Sequence, residues 1–223
     1  MSLTYVIPDI HGRHDLLSEA LAEIALHSRG AAGAIVTIGD YVDKGPDSKG
    51  VIDRLLAGVD VGWNLVTLKG NHDALMAEAL RAPSKIAAWM GKGGDAALAS
   101  YGGDPAAVPA SHIDWLDRLQ LLHVDAHRVY VHAGVDPRLP LDQQSEATLL
   151  CKRYPKECSG GFGTLHVVHG HDNHPDGPLL HEGRTNLDTL AWRTGRLTVG
   201  VFDDDRPGGP TDLIEVRGQP AER

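Results

Sequence analysis

Ala34-Ile35-Val36-Thr37-Ile38-Gly39-Asp40-Tyr41-Val42-Asp43 sets the fold. Its first half is a short β-branched, apolar run, the signature of a buried strand. Gly39 breaks it, and two carboxylates follow at once. The arrangement recurs outward along the chain. Tyr5-Val6-Ile7 runs into Asp9-Ile10-His11-Gly12, and Asn64 to Leu68 into Gly70-Asn71-His72-Asp73. Arg128 to Val131 leads to His132-Ala133-Gly134, and Leu165 to Val168 to His169-Gly170-His171. A lone Asp-x-His is common by chance. Five such blocks, each at a strand end with a Gly beside a carboxylate, imidazole or carboxamide, argue for one shared site.

Helical patterns fill the gaps. Leu16, Leu17, Leu21, Ile24 and Ala25 lie among charged residues at amphipathic spacing, as do Val51, Ile52, Leu55 and Leu56. Leu75 to Leu80 open a third helix. Strand and helix in alternation predict a layered α/β fold. Ligands in such folds gather in the crevice beyond the strand ends, where loops bring side chains together.

These residue types suit a hydrolytic centre with two divalent cations, roughly 3.5–4 Å apart, acting on a phosphate ester. Mixed oxygen and imidazole donors suit manganese, iron, zinc or nickel better than a soft thiolate site would, and manganese is the expected metal. Asp40 is placed as a bridging carboxylate, with Asp9 and His11 on one metal and Asn71, His132 and His171 on the other. His169 and His174 compete with His171 for that position. His72 then remains as proton donor to the leaving oxygen, with Asp43 to orient its ring. Asp43 capping the turn before Pro46 is the plain structural alternative.

Taken in order, the blocks resemble those of the PPP-type metallophosphoesterases: Gly-Asp-x-His-Gly, Gly-Asp-x-Val-Asp-Arg-Gly, Gly-Asn-His-Glu, His-Ala-Gly and a late Gly-His. Trp89-Met90-Gly91-Lys92-Gly93-Gly94, Ser100-Tyr101-Gly102 and Asn186-Leu187-Asp188-Thr189 are weaker echoes of small bacterial members. The resemblance implies a metallophosphoesterase-like layered β-sandwich flanked by helices, with the active site at the strand C-terminal ends. It implies a single calcineurin-like domain over residues 1–218, with 219–223 as a loose tail. The same metal and acid assignments follow, with in-line attack on phosphorus by a metal-bridging hydroxide. The chain's length points to the phage-lambda-type serine/threonine protein phosphatases, with phosphotyrosine as a wider range. Symmetrical diadenosine tetraphosphate hydrolysis is the alternative.

Three departures stand out. Pro8 replaces the first Gly without costing a ligand. Asp73 replaces Glu, a change placed at a helix start. Lys44 stands where the family has a phosphate-gripping Arg, keeping the charge but losing the planar fork. Arg153, in Leu149-Leu150-Cys151-Lys152-Arg153, resembles a second phosphate-binding Arg; Asn71 is placed near the phosphate as well.

Composition limits the partners. At 223 residues with a net charge of −9, the chain has no basic stripe for nucleic acid, so nucleic acid is excluded as a partner. A phosphoprotein or a phosphorylated small molecule remains compatible, because bound divalent ions reverse the local charge. No apolar stretch approaches the ~20 residues of a membrane span, and no leader segment is visible at the start. Cys151 and Cys158 are the two cysteines; as free thiols they fit the cytoplasm. The run Asp203-Asp204-Asp205 reads as a solvated acidic loop, and Leu213 to Val216 as a last strand. Nothing in the sequence speaks to oligomeric state.

Overall fold

The computed structural model describes residues 2–155 and 157–221. Along them run the strands β1 (Leu3–Ile7), β2 (Ala34–Thr37), β3 (Asn64–Thr67), β4 (Leu122–Val124) and β5 (Arg128–Val131). They are followed by β6 (His166–His169), β7 (Leu179–Leu180), β8 (Arg184–Asn186), β9 (Arg196–Asp203) and β10 (Asp212–Arg217). The α-helices are α1 (His14–Ser28), α2 (Ser48–Leu56), α3 (Asn71–Arg81), α4 (Ile86–Trp89), α5 (Asp95–Ser100), α6 (Ala110–Arg118), α7 (Glu146–Cys151) and α8 (Ala191–Thr194).

Two mixed sheets form the centre, in the orders β10-β9-β1-β2-β3 and β4-β5-β6-β8-β7. In the first, β1, β2 and β3 are parallel, in a register that aligns Val6, Val36 and Val66. In the second, β5, β6 and β8 are parallel. Strand alternation decides what each face meets. Val6, Val36 and Val66 face inward and pack with Tyr130, Val168, Leu187 and Phe202, closing one sheet over the other. Tyr5, Ile7 and Ile35 face outward and pack with Leu16, Leu17, Val51 and Ile52 of α1 and α2. On the far side, Val129, Val131 and Val167 cover Leu149 of α7. The result is the α/β sandwich flanked by helices that the sequence predicts.

Several elements go beyond the sequence reading. β9 is the longest strand and pairs with both β1 and β10, yet Gly200 interrupts its apolar pattern. Helix α3 starts at Asn71, four residues before the apolar stretch that signals it. The acidic run is not a solvated loop throughout. Asp203 ends β9 and is buried, with its carboxylate 3.3 Å from Arg206 Nε, and Asp204 accepts from Thr4 Oγ1 at 2.8 Å. Of the predicted tail, residues 219–221 run beside α8, where Ala221 N–H donates to Arg193 O at 3.1 Å. Glu222 and Arg223 lie outside the described residues.

Candidate metal centre

The parallel strands of both sheets deliver their C-terminal loops to one place. Asp40 sits at φ 53°, in a left-handed turn directly after β2. Its carbonyl accepts from Ile10 and His11 N–H at 3.0 and 2.8 Å, which ties the loop after β1 to the loop after β2. Asp73 fixes that turn from below. Its buried carboxylate accepts from the N–H groups of Gly70, Asp40 and Tyr41 at 2.8, 2.8 and 2.9 Å. So Asp73, read as a helix-start residue, both caps α3 and pins the Asp40 turn. Burial, then the charge of Asp40, pushes its pKa up to about 7. From the second sheet, Gly170 N–H donates to His132 O at 2.8 Å. Gly170 also passes so close to Asp9 that a Cβ there would overlap Asp9 Oδ1.

Backbone carbonyls set the imidazole tautomers. His11 Nδ1 donates to Val42 O at 2.8 Å, and His132 Nδ1 donates to Ile38 O at 3.0 Å. Each ring therefore presents a bare Nε2 to the centre. His11 Nε2 lies 3.3 Å from Asp40 Oδ2, and His132 Nε2 lies 3.5 Å from Asp40 Oδ1. One oxygen of Asp40 thus faces each histidine, the disposition of a bridging carboxylate. His132 Nε2 also meets Asn71 Oδ1 at 2.9 Å and His171 Nδ1 at 3.2 Å.

Two overlapping groups result. The donor atoms of Asp40, His132 and His171 lie within 4.8 Å of one another, and so do those of His11, Asp40 and His72. Asp9 stands beside them, with His171 N–H donating to its two oxygens at 3.1 and 3.2 Å. His169 is already engaged: Nδ1 donates to Gly170 O at 3.0 Å, and Nε2 accepts from Arg184 at 3.1 Å. That leaves His171, not His169, facing the cluster.

The chemistry of this donor set fits divalent metal. Around His132 Nε2, three acceptor atoms crowd together where hydrogen bonding would require protons. Burial drives the His11 and His171 pKa values down to about 3 and lowers that of His132, so the rings are unprotonated donors at neutral pH. Burial, then the charges of Asp188 and Asp40, pushes Asp9 well above the carboxylate range. Burial also opposes ionised Asp40, but His132, His11 and His72 hold its carboxyl below the ordinary value. A cation relieves both the crowded lone pairs and the carboxylate repulsion.

Beside the cluster, His72 Nδ1 donates to Asp43 Oδ2 at 2.6 Å, and its backbone N–H donates to Asp40 Oδ1 at 2.9 Å. Asp43 is fully buried, receives Trp89 Nε1–H at 2.8 Å on its other oxygen, and donates its own N–H to Ser48 Oγ. It is therefore the partner of a ring and an indole rather than a turn cap. Burial raises the Asp43 pKa. For His72 burial acts downward, but the Asp43 hydrogen bond and the Asp40 charge outweigh it, so its pKa is raised.

A cavity of about 220 Å³ opens over these groups, lined by Asp9, His11, Asp40, Asn71, His72 and His171 together with the cations Lys44, Lys92 and Arg153. Lys44 Nζ lies 3.0 Å from His11 Nε2, and Arg153 pairs with Asp172 at 2.6 Å. The structure thus brings every predicted site residue to one region. Trp89, Lys92 and Asp188 also stand at the site, with no role evident from sequence alone. Asp188 is buried against Asp9, with its own pKa pushed up to about 6 by burial and by Asp40. The weak echoes in the segments around Trp89 and Asn186 are the signal that leads to them.

Comparison with known proteins identifies the family. The calcineurin-like phosphoesterase model matches residues 3–202. The chain is similar to serine/threonine-protein phosphatase 1 of Salmonella typhimurium, 34% identical over 196 residues, covering 86% of this chain and 69% of that protein. It is also similar to a symmetrical bis(5'-nucleosyl)-tetraphosphatase of Nitrosomonas europaea, 29% identical over 144 residues; the match covers 63% of this chain but only 47% of that protein. A crystal structure provisionally named a diadenosine tetraphosphatase superposes with a TM-score of 0.68 at 26% identity, covering 98% of this chain and 94% of the other. Fold, donor set and family model agree: the chain is a hydrolase that belongs to the calcineurin-like metallophosphoesterases, a family that uses divalent metal ions.

Proposed function

We propose that the protein is a phosphomonoesterase of the serine/threonine protein phosphatase type. The observation that carries the phosphoesterase chemistry is the 2.6 Å hydrogen bond between His72 and Asp43, with His72 on the same cavity as Asp40, His11, Asn71 and His171, and the 34% identical Salmonella relative favours the protein phosphatase. Asp9, His11 and Asp40 would hold one divalent ion, and Asp40, Asn71, His132 and His171 the other. Two such ions, manganese by preference, would neutralise phosphate charge and acidify the attacking water. The chain's own residues do the rest. Asp40 keeps the two halves of the site in register through its two oxygens. Lys44, Arg153 and the Asn71 amide receive phosphate oxygens. His72, with Nδ1 committed to Asp43, carries on Nε2 the proton that the leaving alkoxide takes up. The free thiols Cys151 and Cys158 fit the reducing cytoplasm we assign to it.

A dinucleoside tetraphosphatase is the second reading, favoured by the Nitrosomonas relative and by the 0.68 superposition. Both activities use the same metal core, so substrate decides between them. Side-by-side kcat/KM for a phosphoseryl peptide and for diadenosine tetraphosphate, on manganese-loaded protein, tests the proposal. A preference for the peptide supports the protein phosphatase; a preference for the dinucleotide replaces it with the second reading.

A further inference from the structure

Lys44 is a poor substitute for a guanidinium. An ammonium is a point charge on a flexible stem and cannot present two parallel N–H donors to two phosphate oxygens. Here its Nζ is 3.0 Å from His11 Nε2 and 5.9 Å from the centre of the Trp192 ring. The fold places a second ammonium on the same cavity. Lys92 lines it together with Lys44, Asp40 and His72, and among the described residues it makes no ion pair. Arg153, by contrast, is held by Asp172.

The segment that carries Lys92 is locked to the catalytic loop at two points. Lys44 N–H donates to Gly93 O at 3.0 Å, and Trp89 Nε1–H donates to Asp43 Oδ1 at 2.8 Å. Gly93 sits at φ +102°, and a Cβ there would lie 2.8 Å from Lys44 Cγ. The backbone therefore needs glycine at that position to bring the turn against Lys44. These contacts fix where the turn stands relative to the lysine, so Lys92 emerges beside Lys44 rather than on an independent loop.

We infer that Lys92 is a phosphate-binding residue, and that Lys44 and Lys92 together grip the substrate phosphoryl group as two separate ammonium prongs. The pair does the work that one planar fork would do elsewhere. Lys92 contributes charge and hydrogen bonds to the bound phosphate and leaves proton transfer to His72. Because this presupposes the phosphoesterase function above, a test that needs no turnover is included.

The experiment compares the parent protein with Lys92→Met and Lys92→Arg, all manganese-loaded. It measures KM and kcat for p-nitrophenyl phosphate, and Kd for inorganic phosphate by calorimetry. Lys92→Met is expected to raise both KM and the phosphate Kd about tenfold, with kcat within about twofold, and Lys92→Arg to restore both. The thermal midpoint and Trp fluorescence should match the parent in both variants, since Lys92 is exposed. A phosphate Kd and KM within twofold of the parent in Lys92→Met would overturn the assignment. So would an equal loss in Lys92→Met and Lys92→Arg. A parent protein that binds phosphate but hydrolyses no phosphoester would refute the proposed function, while the phosphate Kd of the variants would still decide the role of Lys92.

Discussion

Trp89 Nε1 donates to Asp43 Oδ1 at 2.8 Å, on the carboxylate whose other oxygen holds His72 Nδ1 at 2.6 Å. Trp89 and Asp43 are both completely buried. The indole therefore satisfies an anionic oxygen that water does not reach, and it helps to keep Asp43 charged behind the ring. Trp89→Phe keeps most of the packing and deletes the donor. It should cost ~1–3 kcal/mol of stability, the penalty of an unsatisfied buried acceptor. It should also reduce kcat more for alkyl phosphates than for p-nitrophenyl phosphate. Denaturant unfolding and the two kcat values check this; unchanged stability would show that the hydrogen bond contributes nothing.

The pH profile should carry the signature of His72. Its pKa is raised because the Asp43 hydrogen bond and the Asp40 charge outweigh burial. As the proposed general acid the ring would work protonated, so turnover of poor leaving groups should be sustained below this pKa and should decline as pH rises through it. His72→Asn removes the proton donor and should abolish that alkaline limb. Turnover of alkyl phosphates should fall by ~10²–10³-fold, with a far smaller loss for p-nitrophenyl phosphate. Equal losses on both substrates would remove His72 from the general-acid role.

Stability should fall in mild acid for a separate reason. His166 is buried in β6, with Nε2 paired to Thr185 Oγ1 at 2.9 Å, and burial drives its pKa down to about 4. The unfolded chain takes up a proton near pH 6.5, while the folded one does not. This group's contribution is therefore complete above that pH and is lost as pH falls toward 4. Between pH 7 and pH 5 the loss is ~1–2 kcal/mol. His166→Gln should lose correspondingly less across that interval. Parallel stability–pH curves for parent and variant would contradict the assignment.

The residues proposed as metal donors and as the proton-donor pair were legible in the sequence because each block is a strand end followed at once by its side chains. Asp9, His11, Asp40, Asn71 and His132 need only local sequence to be recognised. What escaped depends on distance along the chain. Trp89 reaches Asp43 across 46 positions, and Lys92 is placed by a backbone bond between Gly93 and Lys44. Asp188 matters only because β8 brings it against Asp9. Asp73 was legible as a helix-start residue, yet its grip on the Asp40 and Tyr41 amides depends on how α3 docks under the β2 loop. β9 was obscured by Gly200, where a Cβ would lie 2.8 Å from the Phe202 ring. The choice between His169 and His171 needed the hydrogen bond from Arg184, a contact with no sequence signature.

In the proposed site Asp40 would join two metal positions, one oxygen facing His11 and the other His132. Manganese titration of metal-free protein, read by calorimetry for the parent and for Asp40→Asn, tests it most directly. The amide keeps an acceptor for the His72 N–H, so the fold should persist while the bridging charge is lost. Two manganese ions per chain are expected for the parent, with the loss of at least one site in the variant. Two sites of parental affinity in Asp40→Asn, or a single site in the parent, would contradict it.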